Sequence, residues 1–193
     1  MKPSPPTLPS NAALVLIDLQ QAIDHPSWGT RNNPDAEKKA AALLAAWRLA
    51  GRPIYHVRHD STFPHSHYRP GQPGNDFKPE LAPLPGELVI PKRTNSAFIG
   101  TDLEQRLRAA GQLTLVMAGV ITNNSVEATV RMAGNLGFTV YLAADACFTF
   151  GRNDWNGVWR TADEVHALSL ANMHDEYALV VSTSDILEAG EPQ

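Results

Sequence analysis

The stretch "AGVITNNSVEATVRMAGNLGF", residues 118–138, changes character midway. It leaves the apolar run "LTLVMAGV" (113–120) through Gly119 and passes polar Thr122, Asn123, Asn124 and Ser125. Val126, Val130 and Ala133 follow at helical spacing, and Gly137 closes the segment. That order reads as strand, tight turn and helix, with Ser125 at or just inside the first helical turn. Three roles are open to such a serine. It is a nucleophile, the remnant of one, or a cap whose oxygen satisfies a free N–H.

The same alternation extends in both directions. "AALVLIDL" (12–19) is near-continuously apolar, as a strand buried on both faces must be. Ala-rich 35–51 has helix-forming composition, and Gly51 is placed to stop it. Strand character resumes at 52–59, at 87–92, at 113–119, at 138–145 and at 177–183. Helices are expected over 100–111, where Thr101 and Glu104 have capping-box spacing, and over 161–174. Between the second and third strands runs a Pro-, Gly- and His-rich segment, 60–86, long enough to suggest a functional or partner-binding loop. Six strands alternating with helices predict a three-layer α/β/α, Rossmann-like sandwich around a mainly parallel six-stranded sheet. At 193 residues the whole chain suits a single domain, with "MKPSPPTLPS" (1–10) as a flexible arm.

Bulk properties exclude several function classes. A net charge of −4 with 19% charged residues points to neither nucleic acid nor an anionic membrane surface. No apolar run approaches the roughly 20 residues needed to span a bilayer. The single cysteine, Cys147, leaves no partner for an internal disulfide and fits a reducing, cytoplasmic setting.

In parallel α/β sheets, ligands bind at the carboxyl ends of the strands. Asp18 ends the first strand, Lys92 ends the third, and Ser125 follows the fourth. Taken singly, the two charges read as solvated strand ends and the serine as a cap. An acid, a lysine and a hydroxyl at one sheet edge are more informative together, although spacing alone does not assign their chemistry.

The chain resembles the isochorismatase-like (cysteine hydrolase) superfamily over nearly its whole length. The resemblance is carried by "LVLIDLQ" (14–20), "HVRHDS" (56–61), "IPKRTNSAFIGTDLEQRLRAAG" (90–111), "AGVITNNSVEATVRMAGNLGF" (118–138) and "ADACFTF" (144–150). It implies a catalytic triad of Asp18, Lys92 and the residue at 125, where serine stands in the place of the family's cysteine. It also implies a non-prolyl cis peptide before Ile121, with the N–H groups of Ile121 and Ser125 forming an oxyanion hole. Cysteine members cleave amide-type C–N bonds through a thioester. Isochorismatases proper lack the cysteine and use the acid as a proton donor to a vinyl ether. A hydrolase of a small amide is therefore expected, with an enol-ether hydrolase or a weakly active binding homologue as alternatives. The resemblance further implies a homodimer or homotetramer.

Serine changes the demands on the site. A helix N-terminus supplies at most about 2 kcal/mol, roughly 1.5 pKa units, enough to ionise a thiol and far too little for an alcohol. Ser125 needs a positioned base. Asp18 with an ordinary carboxylate pKa is weak for that task, and Lys92 serves only in its neutral form, which an adjacent Asp18 opposes. Cys147 lies after the next strand, away from the nucleophile position, and reads as a buried structural residue.

Substrate contacts are expected from Trp28 and Phe63 in the loops after the first and second strands. Gln20, two residues from Asp18 on the same side, and Asn124 or Asn123 in the turn complete the set. No arginine cluster marks a phosphate or polycarboxylate site, so the substrate is expected to be small and neutral or weakly polar. His56, His59, His65 and His67 cluster with Asp60 but without a metal-binding spacing. They are read as surface or structural residues, and no metal or other cofactor is expected. His166 is read as a packing or interface residue.

Overall fold

The computed structural model describes residues 8–190. Its main sheet comprises β1 (Ala13–Ile17), β2 (Ile54–His59), β3 (Leu88–Lys92), β4 (Thr114–Val120), β5 (Thr139–Phe148) and β8 (Leu179–Val181), in the order β3-β2-β1-β4-β5-β8. Every pairing in it is parallel. A short antiparallel hairpin, β6 (Arg152–Asn153) and β7 (Trp159–Arg160), stands apart. The helices are α1 (Ala36–Leu49), α2 (Leu103–Ala109), α3 (Glu127–Asn135), α4 (Ala162–Met173) and α5 (Thr183–Gly190).

All five residues of β1 are buried, which accounts for its unbroken apolar run. Leu14 and Leu16 face one core with Leu43, Leu44 and Trp47 of α1 and Ile186 of α5. Ala13, Val15 and Ile17 face the other, with Leu103 and Leu107 of α2, Val130 of α3 and Met173 of α4. These two apolar layers, one on each face of the sheet, make the expected three-layer sandwich. The chain turns outward in opposite directions from β1 and β4, so the crevice between their carboxyl ends is the sheet's topological switch point.

Three local expectations change. Of the arm expected over 1–10, residues 1–7 lie outside the described residues, whereas Leu8 is buried in the α1-side core. Thr101 and Glu104 do not form a capping box at α2: the N-cap is Asp102, the Thr101 hydroxyl accepts from Leu103 N and donates to Ala97 O, and Glu104 pairs with Arg108. The capping box that does form is at α4, between Thr161 and Glu164. Helix α5 has no counterpart in the sequence reading, which ends on a strand.

Candidate active site

The segment after β4 brings Ser125 to the switch point through an unusually close strand contact. Gly119 has φ +139°, and a Cβ there would lie 2.2 Å from Ile17 O of β1, so no other residue fits. The Val120–Ile121 peptide bond is cis. Thr122–Val126 then forms a widened helical turn closed by Val126 N–H to Ile121 O at 3.3 Å. Side chains hold this turn on several sides. Thr122 Oγ1 shares a hydrogen bond of 2.9 Å with His166 Nδ1 of α4, and Thr129 Oγ1 donates to Ser125 O at 2.6 Å. Thr129 Oγ1 in turn accepts from Ala97 N at 3.0 Å, which ties the "SAF" segment to the serine turn. His166, read from sequence as a packing residue, is thus an anchor of this turn.

Asp18, Lys92 and Ser125 meet as a buried cluster, at 4%, 1% and 8% exposure. Asp18 follows β1 directly and adopts a left-handed conformation, φ 54°, a strained choice for a residue with a side chain. Lys92 Nζ donates to Asp18 Oδ2 at 2.6 Å, to Ser125 Oγ at 3.1 Å and to Thr94 O at 3.1 Å. An ammonium has three N–H donors, and all three are engaged. Burial raises the Asp18 pKa above the ordinary carboxylate value. The Lys92 charge and hydrogen bond, the Ser125 hydroxyl and His59 offset part of that shift. Asp18 Oδ1 remains buried without a hydrogen-bond partner.

A cavity of about 140 Å³ opens onto this cluster. Trp28, Phe63, Ile121 and Asn124 line it, together with His59, Ser61, Ser66, Tyr68 and Asn95. A wider recess of about 320 Å³ shares Trp28, Ile121 and Asn124 and continues to Thr149, Phe150 and Arg152. The larger hollow of about 450 Å³ lies at the amino ends of β2 and β3, where Arg48 and Glu87 on its wall bind each other. It offers no converging reactive groups, whereas the small cavity does.

Gln20 is not on the cavity wall, contrary to the sequence reading. Its carboxamide donates to His59 O at 3.2 Å and to Asn75 O at 2.7 Å, and accepts from His59 N at 2.7 Å. It is fully buried and fixes the end of β2. Asn123 lies on the wall of the wider recess and not of the small cavity, its side-chain oxygen taken by the Thr149 hydroxyl. The histidines diverge. His56 bonds Glu87, His67 stacks on His25, and only His59 enters the cavity. Asp60 is held by Arg58. Among the described residues no group of three His, Cys, Asp or Glu side chains is placed to hold a metal ion. Likewise, no helix in that range is long and apolar enough to cross a membrane. Cys147 is fully buried, and burial pushes its thiol pKa up to about 12.

A doubly wound domain with a buried Asp, Lys and Ser cluster at its switch point has the layout of a small-molecule hydrolase site. The chain belongs to the isochorismatase family of hydrolases: the Isochorismatase domain model matches residues 12–185. It is 39% identical to the isochorismatase family protein YrdC of Bacillus subtilis over 175 residues, 91% of this chain and 94% of that one. A crystal structure of an isochorismatase-family protein from Chromobacterium violaceum superposes with a TM-score of 0.95 at 62% identity, covering 97% of this chain and 98% of the other. Nicotinamidase 3 of Arabidopsis thaliana is 27% identical over 183 residues, 88% of this chain and 84% of its own.

Proposed function

We propose that the chain hydrolyses an amide-type C–N bond of a small molecule, with Ser125 as nucleophile, Asp18 as base and Lys92 as the group that holds both in place. The observation that carries this reading is the saturation of Lys92. Its contacts to Asp18, Thr94 and Ser125 all run to oxygen atoms, so Lys92 holds the acid and the serine in place and the proton is left to Asp18. The one acceptor left open beside Ser125 is Asp18 Oδ1. Burial makes that carboxylate a stronger base than an ordinary one, which answers the weakness expected of it.

The steps then balance. Ser125 Oγ bonds the carbonyl carbon as its proton passes to Asp18. The oxyanion forms beside Ile121 and Ser125, whose N–H groups are the proposed stabilising donors. Collapse breaks the C–N bond and the nitrogen leaves with the Asp18 proton. Water attacks the acyl-serine as its proton passes to Asp18, the C–Oγ bond breaks, the carboxylic acid departs, and Ser125 Oγ takes the proton back from Asp18. The kinship with a nicotinamidase supports a C–N bond as the target.

The raised Asp18 pKa also favours a second reading, in which protonated Asp18 donates to an enol ether and Ser125 is idle. Assaying wild type, Ser125→Ala and Ser125→Cys against amides, ureides and a vinyl ether separates the two. Amide cleavage lost in Ser125→Ala and increased in Ser125→Cys is the expected result. Turnover indifferent to Ser125 but dependent on Asp18 would replace it with the second reading. No turnover by the wild type, with gain in Ser125→Cys, would mark a binding homologue.

A further inference from the structure

Three buried side-chain atoms among the described residues have no hydrogen-bond partner: Asp18 Oδ1, His59 Nδ1 and His56 Nδ1. The first two belong to residues on the wall of the same cavity. Leaving a polar atom buried and unmatched costs about 1–3 kcal/mol, so two of them on residues that line one cavity leave room for a ligand that satisfies both. Asp18 Oδ1 is the proposed base. His59 has no part in the triad.

His59 is also held in place. Its N–H and C=O are clamped by the Gln20 carboxamide, and Asn75 Nδ2 donates to the same carbonyl at 3.0 Å. Its ring stands edge-on to Tyr68, centroids 5.6 Å apart. Burial holds the imidazole pKa below its usual value, the Asp18 charge opposing this only in part, so the ring is neutral near pH 7.

We propose that His59 Nδ1 accepts an N–H of the scissile nitrogen, making His59 a specificity-determining residue for substrates whose leaving nitrogen carries at least one hydrogen. The inference rests on the amide-hydrolase reading and narrows it to primary and secondary carboxamides and ureides, excluding tertiary amides and esters. The ring, with its proton on Nε2, turns the nitrogen so that the lone pair released at the tetrahedral intermediate faces Asp18 Oδ1. Asp18 passes on the proton taken from Ser125, the C–N bond breaks, and ammonia or a primary amine departs. His59 itself gains and loses no proton.

The test uses butyramide and N,N-dimethylbutyramide as probes. Wild type is expected to favour the first by about 100-fold in kcat/KM, because a site built to bind an N–H rejects the analogue lacking it. His59→Leu should compress that ratio to about tenfold or less, and His59→Asn, whose amide oxygen takes the place of Nδ1, should restore most of it. In Ser125→Ala with ¹⁵N-labelled histidine, butyramide should move the His59 Nδ1 resonance and the dimethyl analogue should not. An unchanged ratio in His59→Leu, or no movement of that resonance, overturns the inference while leaving amide hydrolysis intact. A moved resonance in Ser125→Ala with no wild-type turnover upholds His59 as an N–H acceptor and sinks the hydrolase reading instead.

Discussion

Two carboxylates of this molecule are buried against a lysine, and they end in opposite states. Glu37, in the first turn of α1, is bound by Arg31 and by Lys78 Nζ at 2.8 Å, and Lys78 also reaches Asp24 at 2.6 Å. Burial works against its charge, but the hydrogen bonds from Arg31 and Lys78 overcome it and hold the carboxyl at about 2. Both oxygens are matched by cations. Asp18 has one lysine, one matched oxygen and a raised pKa. A fully satisfied ion cluster is a strut, whereas a partly satisfied one retains reactivity.

Asp18→Asn breaks the comparison most severely. Removal of the general base should lower kcat/KM on the best amide by about 10³–10⁴-fold, measured by product release. Glu37→Ala should leave the kinetics within a few-fold but take the carboxylate from Arg31 and leave Lys78 to Asp24 alone, costing about 1–3 kcal/mol in urea unfolding. Acid separates the two sites by sign. The folded Glu37 value of about 2 lies below its ordinary 4.5, so its contribution is complete above pH 4.5 and is lost as pH falls toward 2. Asp18 runs the other way, since its raised folded value favours the fold at low pH and loses that contribution as pH rises through it. The melting temperature of wild type should therefore drop more steeply between pH 4.5 and 2 than that of Glu37→Gln. The smallest expected effect is in Gln20→Met, which frees the end of β2. About a tenfold loss of kcat/KM should appear there, without the change in pH profile that loss of the base produces.

Much of this was legible in the amino-acid order. Asp18 and Lys92 sit at strand ends, and Ser125 lies in a strand-to-helix turn whose apolar flanks fix its place. The family resemblance supplied the remaining link between them. Gln20 departs from its expected place because side-chain alternation does not continue past the end of β1. Alternation holds only in extended chain, and the left-handed turn at Asp18 resets it. His59 and Tyr68 were not singled out for the site, because the path of 60–86 depends on Gln20 and Asn75 reaching across sequence to its backbone. The full capping box at Thr101 fails on its second half: the Thr101 hydroxyl accepts from Leu103 N–H, but Glu104 turns to Arg108 one turn on and does not reach back. That choice of partner depends on the helix surface as folded.

Cys147 gives the chemistry at the switch point a further meaning. It is the single sulfhydryl of the chain, fully buried, with its thiol at about 12, so almost none of it is thiolate at neutral pH. An alcohol at position 125 cannot enter the sulfenic, sulfinic and sulfonic series that silences catalytic thiols. With Ser125 as the proposed nucleophile, the protein exchanges intrinsic nucleophilicity for oxidant tolerance. Peroxide and thiol-alkylating reagents should leave its turnover intact where they would inactivate a cysteine at the same position.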